Sequence, residues 1–268
     1  ALEDLPHHHA GARGDRGPAV GDQRRVRFGP LDALVGDPER VEPRLSEAVT
    51  HLAGIPMTAG FSRKVAGALG DRPGTEYFVD AAIEVARLAR QVTRIPERLV
   101  RERISEGPVG FWRLDMEGWV DIPSSCYTYR AESEALFKER EVRGAATPAL
   151  YAPPVGAPRV FNRTKVARLE RRDARLLLSH SMFDEVHSFQ IWYAVDLTTG
   201  TIVDAGSITP RLPYSSICSD PQRNITALLG QAVGPELRKR IGTLIGGLSG
   251  CAQLYALTAD LLKLLSFE

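Results

Sequence analysis

The chain has 268 residues, 43% hydrophobic and 25% charged, a balance that lets a globular protein bury a core without a metal or disulfide staple. Its 34 basic and 33 acidic residues leave a formal charge of +1, which removes the electrostatic reason to expect nucleic acid or an anionic membrane as partner. No run approaches the ~20 apolar residues of a membrane span. Cys126, Cys218 and Cys251, odd in number and far apart, suit a reduced, cytoplasmic setting better than a disulfide framework.

The opening "ALEDLPHHHAGARGDRGPAVGD" lacks the apolar core of a signal peptide. Rich in Gly, Pro and charge, it reads as an extended arm over residues 1–30, with His7, His8 and His9 solvated rather than bound to a metal. Residues 31–100 read as a first helical unit. "DPER" at Asp37 supplies an N-cap and a first-turn proline, and helices are expected at about 41–53, 57–70 and 75–93. Residues 101–162 read as a linker: short strands between Trp112 and Tyr129, a brief helix at "ESEALFKERE", and a loop at "TPALYAPPVGAPRVF".

From residue 163 the pattern turns to β-branched and aromatic residues with partial alternation. "VARLERRDARLLLSHS" and "HSFQIWYAVDLTTGTIVDAGSI" read as antiparallel strands, with Thr199-Gly200 at a hairpin turn. The chain closes on a second helical unit, expected at about 221–232, 235–247 and 251–266. Its segment Leu237–Leu264 aligns without gaps on Phe61–Leu88, matching Gly70 to Gly246, Gly74 to Gly250 and Arg63-Lys64 to Lys239-Arg240. Apolar positions coincide at helical spacing, and each first glycine suits a left-handed helix end. The expected architecture is α+β, an antiparallel sheet flanked by two related helical units about an internal pseudo-twofold axis, in one compact domain whose residues 163–268 hold the sheet and the second helical unit.

An ordered set of features runs through the last third: His187 before a strand, "PYSSIC" from Pro213 to Cys218, then "GLSGCAQL" with Gly250, Cys251 and Leu254. In these the chain from about Arg163 resembles an uncharacterised bacterial family, domain of unknown function family 2889. The family pattern has a His before the strand, a Pro-Tyr followed by Cys, and a Gly-Cys-x-His-Leu ending. Gln253 stands where that histidine is usual, which weakens any role needing a second imidazole. The resemblance implies a fold and a site but no reaction.

The densest polar stretch, "SHSMFDEVHSF", holds His180, Asp184 and His187. A histidine oriented by a carboxylate can move a proton near neutrality, so His187 is the candidate general base, while His180 reads as structural. Arg211 and Tyr214 are candidates to steady negative charge on the substrate. Asp184, Cys218, Cys251, Trp192 and Gln253 complete a candidate substrate site, and Trp112, Trp119, Tyr127 and Tyr129 add aromatic density that suits either a pocket wall or core. Cys251, at the start of the last helix, is expected to lean toward thiolate. No phosphate loop, dinucleotide fingerprint or haem motif is present, so no organic cofactor is assigned. Cys218, Cys251 and His187 could ligate zinc in a hydrolase, but their spacing fits no compact motif and no metal is assigned. The leading expectation is an acid–base lyase or isomerase acting on a small apolar or aromatic substrate, with a homodimer allowed. A non-catalytic binding or assembly protein is the rival.

Overall fold

The computed structural model describes residues 26–28, 50–56, 60–70, 75–91, 94–118, 122–157 and 160–267. The His7–His9 tract, the Asp37 helix start, Gly74 and Trp119 lie outside them. The centre is an antiparallel sheet in sequential order: β1 (Val26–Phe28), β2 (Thr164–Arg172), β3 (Arg175–Phe183), β4 (Ser188–Asp196) and β5 (Thr201–Arg211). The expected hairpin at Thr199-Gly200 is present. Gly200 is left-handed at φ 66°, and Asp196 accepts hydrogen bonds from the Thr198 and Thr199 amides at 2.8 and 2.9 Å.

Alternation along the strands decides which face is covered. Leu176, Leu178 and Met182 of β3 and Phe189, Ile191, Tyr193 and Val195 of β4 are buried on one face. Against them pack the second helical unit, a 3₁₀ segment at Asp220–Leu228 and two longer helices that follow it, through Ile225, Leu237, Ile241, Ile245, Leu254, Leu257 and Leu261. Trp192 has the opposite parity and sits over Gly206 of β5, away from that core; a Cβ on Gly206 would lie 2.1 Å from its ring.

Between β1 and β2 come α1 (Phe61–Leu69), α2 (Thr75–Gln91), α3 (Glu97–Ile104), α4 (Pro108–Gly118), α5 (Ser133–Glu139) and α6 (Pro148–Tyr151). The brief helix at "ESEALFKERE" is α5. Among the described residues the short strands expected between Trp112 and Tyr129 are not formed: the segment holds α4 and a 3₁₀ turn at Tyr127–Tyr129. Helical spacing sets Phe111, Leu114 and Asp115 on one buried face, and a strand could not bury all three together. These helices build a second core from Ile95, Val100, Phe111, Trp112, Leu114 and Tyr151, which Tyr214 and Ile217 join from the far end of the sheet. The proline-rich stretch is not all loop, since Pro148 starts α6.

After the sheet come α7 (Ser215–Cys218), α8 (Pro235–Ile245) and α9 (Ala252–Lys263). The aligned segments are thus both helix pairs, α1–α2 and α8–α9, but their first glycines differ. Gly70 is left-handed at φ 73°, whereas Gly246 is extended at φ −110° and Gly247 takes the left-handed place at φ 63°. The expectation that Gly246 ends its helix left-handed is corrected. A 3₁₀ turn at Gly247–Ser249 intervenes, and the Cys251 amide then donates to the Ile245 carbonyl at 2.9 Å. Among the described residues no helix is long and apolar enough to cross a membrane.

Candidate functional site

A cavity of about 200 Å³ lies where the two cores meet, walled by Phe189 from the first and Tyr151 and Tyr214 from the second. That volume falls below the ~300–1,000 Å³ typical of drug-sized ligands, which restricts any occupant to a small molecule. His187, Tyr214, Cys218, Cys251 and Gln253 all line it. Arg211 and Trp192 do not, and Asp184 stands behind His187. Gln91, the last residue of α2, also reaches the wall.

The turn between β3 and β4 aims His187. Asp184 folds back as a cap, its Oδ1 accepting from the amides of Val186 and His187 at 2.9 and 2.7 Å. The same carboxylate accepts from His187 Nδ1 at 3.0 Å and from Arg163 Nε at 2.9 Å. Burial pushes Asp184 up, but the His187 ring, Arg163 and the backbone amides outweigh it and hold the carboxyl at about 2. It is therefore an anion at neutral pH, and it fixes the tautomer with the proton on Nδ1. His187 Nε2 has no protein partner among the described residues. Arg211 braces this turn, donating to the carbonyls of Asp184 and His187, so its charge is spent on backbone rather than offered to a ligand.

The opposite wall is built around a residue the sequence did not single out. Asp115 of α4 is 6% exposed and accepts three phenol hydrogen bonds: Tyr214 at 2.6 Å and Tyr129 at 2.7 Å on Oδ2, Tyr151 at 2.8 Å on Oδ1. Burial lifts this carboxyl to about 6 against those three donors, and burial with the Asp115 charge raises all three phenols well above 10. The Tyr214 hydroxyl is accordingly directed at Asp115. The sequence carried one signal for Asp115, a lone carboxylate on the apolar face of a helix, hidden by reading the segment as strands.

The third wall carries all three cysteines. The Tyr127 amide donates to the Gly250 carbonyl at 2.9 Å, lashing the loop that holds Cys126 to the start of α9. Trp112 Nε1 donates to the Thr128 carbonyl at 2.8 Å, which places Trp112 as a core residue supporting that loop. Thr128 Oγ1 lies 3.1 Å from Cys218 Sγ. Cys251 caps α9, its sulfur accepting from the Leu254 amide at 3.5 Å, but burial dominates the helix-end effect and raises its pKa, reversing the thiolate expectation. Cys218 is pushed up to about 12 by the same cause. All three are thiols at neutral pH. Among the described residues no three His, Cys, Asp or Glu side chains are grouped to hold a metal ion, so the Cys218, Cys251 and His187 set lacks ligating geometry.

The arrangement of His187, Pro213-Tyr214, Cys218 and Gly250-Cys251 about one cavity gives the family resemblance a spatial meaning. Residues 170–265 match the family model described as Protein of unknown function (DUF2889). The DUF2889 match runs from the end of β2 through α9, and it contains His187, Tyr214, Cys218, Cys251 and Gln253. The wall formed by Asp115, Cys126, Tyr129 and Tyr151 lies outside it. No curated protein and no solved structure matches the chain. His180, inside the DUF2889 match but away from the cavity, bonds its Nδ1 to the Leu257 carbonyl at 3.0 Å, and burial lowers its pKa. It packs α9 on the sheet.

Proposed function

We propose that the chain is an acid–base enzyme of lyase or isomerase type acting on a small substrate with an apolar or aromatic body. One observation carries this reading: His187 is pinned through Nδ1 to an anionic Asp184 and lines a cavity with an Nε2 that has no partner among the described residues. A base so placed takes a proton from the substrate at Nε2, and the imidazolium formed is stabilised by Asp184 across the ring. The proton then returns to a different atom of the same molecule, an isomerisation, or to a departing group, an elimination. Phe189, Val186, Ile122 and Leu150 supply the apolar surface that would hold the substrate body and keep water from the transfer.

The reading supports a changed role for two residues. Tyr214 holds Asp115 and Arg211 holds the His187 turn, so both position the machinery rather than meet substrate charge. The test is hydrogen exchange in heavy water, followed by mass spectrometry, over a panel of small aryl ketones, aryl alcohols and aryl amines. The expected outcome is enzyme-dependent incorporation of deuterium at one carbon of a panel member, reduced about 10²–10⁴-fold in His187→Ala. Unchanged turnover in that variant would overturn the assignment of His187. A chain that binds panel members and exchanges none of their hydrogens is a binding protein instead.

A further inference from the structure

We infer that the ligand of this cavity carries a protonated amine, and that its ammonium group sits against Asp115. This rests on reading the cavity as the substrate site, but not on any proton transfer there. Asp115 is buried, and both of its oxygens accept: Tyr129 and Tyr214 donate to Oδ2 and Tyr151 to Oδ1. A protonated carboxyl would itself donate through one oxygen, whereas three converging phenol donors are the surroundings of a carboxylate.

Among the described residues that charge has no counter-ion: neither Lys nor Arg lines the cavity, and the groups acting on Asp115 are three neutral phenols. Buried charges in proteins are otherwise paired, because neutral donors replace only part of the lost hydration. An ionised carboxylate has about four lone-pair positions, of which the phenols fill three.

The phenols also fix the sign of what can bind. With their hydrogens on Asp115, the phenols have none left to donate to a ligand, so the cavity around Asp115 offers negative charge and no phenol donor. A carboxylate or phenolate ligand would meet repulsion, and a neutral hydrocarbon would leave the charge unmet. An ammonium supplies up to three donors and the missing positive charge. Ile122, Ala146, Leu150 and Phe189 add apolar lining for the rest of the molecule. The class so defined is a small arylalkyl or alkyl amine.

Three near-isosteric probes decide the matter by calorimetric titration of the full chain at neutral pH: 2-phenylethylammonium, 2-phenylethanol and phenylacetate. The expected result is that the ammonium binds about tenfold or more tighter than the alcohol, with phenylacetate weakest. Asp115→Asn, checked for folding by circular dichroism, should bring the ammonium down to the level of the alcohol. Should that variant not fold, the ranking on the unaltered protein decides alone. The inference is overturned if the alcohol or phenylacetate binds as tightly as the ammonium, if Asp115→Asn leaves ammonium affinity unchanged, or if none of the three binds. His187-dependent exchange of a neutral substrate would sink this inference and leave the proposed function standing. Ammonium binding with no exchange of any panel hydrogen would do the reverse.

Discussion

Asp115 shows how one buried side chain shapes stability as well as a site. Its folded pKa of about 6 lies above the 3.8 of the free side chain, so the folded state holds the proton more tightly. The stabilisation this brings is present below pH 3.8 and is lost as pH rises through 6; complete loss is about 3 kcal/mol. Asp184 runs the other way, its carboxyl at about 2 contributing stability above pH 3.8 that disappears only in stronger acid. Between pH 4 and 7 the two windows are separate. Asp115→Asn can keep the cage, since an amide oxygen accepts from Tyr129 and Tyr214 while its nitrogen donates to Tyr151. Urea unfolding of the variant should therefore gain about 3 kcal/mol on the parent between pH 4 and pH 7. An identical pH profile for both proteins would show that Asp115 does not titrate in this range. His187, Cys218, Cys251 and Gln253 are grouped in the sequence through the ordered features of the family resemblance, and all four line one cavity. Asp115 could not be placed there, because a carboxylate on a helix is ordinarily solvated and only three-dimensional packing brings Tyr129, Tyr151 and Tyr214 to it.

At the level of elements, periodicity located the helix pairs α1–α2 and α8–α9 and the strands β2 to β5, but it read α4 as strands despite its one buried face, and it could not show where a neighbour's backbone decides the conformation. The two glycines matched by the internal alignment illustrate the difference. Gly70 has open space around a Cβ position but a φ of 73°, so it is glycine for conformational freedom. Gly246 has ordinary φ but a Cβ there would come 2.8 Å from the Gly242 carbonyl oxygen, so it is glycine for room. Gly250 is the extreme case: a Cβ would stand 2.2 Å from the Ile245 oxygen and 2.4 Å from that of Gly246. Both are backbone atoms that hold the Gly247–Ser249 turn, and they cannot rotate away as a side chain could. Gly250→Ala should destabilise by about 1–3 kcal/mol. Because Gly250 also accepts from the Tyr127 amide and lines the cavity, its displacement should release the Cys126 loop. The check is the rate at which Cys126 reacts with a thiol reagent under native conditions, expected to rise in the variant, with Gly70→Ala as the control that leaves it unchanged.

Across the whole molecule, buried ion pairs link the first helix pair to the sheet. Val65 and Leu69 of α1 pack with Phe61, Phe78, Val79 and Ala82 in a small core of their own, separate from the core under the sheet. The bridge is Lys165, on the covered face of β2 and with its side chain 3% exposed, which pairs with Glu84 of α2 at 2.6 Å and Asp260 of α9 at 3.4 Å. Lys263 extends the network, donating to Asp80 at 2.6 Å and Asp260 at 3.1 Å. Lys165→Met leaves Glu84 with Arg87 and Asp260 with Lys263 but strips both of a buried counter-ion, so it should lose about 1–3 kcal/mol. The loss should fall on one region first: amide exchange over residues 75–91 should accelerate before that of β3 and β4 changes. Since Gln91 at the end of α2 lines the cavity, ligand affinity should weaken with it. The double variant Lys165→Met/Glu84→Leu distinguishes charge from shape. It leaves Asp260 paired with Lys263 and removes the Glu84 carboxylate that lost Lys165, so it should recover part of the stability lost in the single variant. If the double variant is no more stable than Lys165→Met, α2 is held by packing and the ion pairs are incidental to its docking.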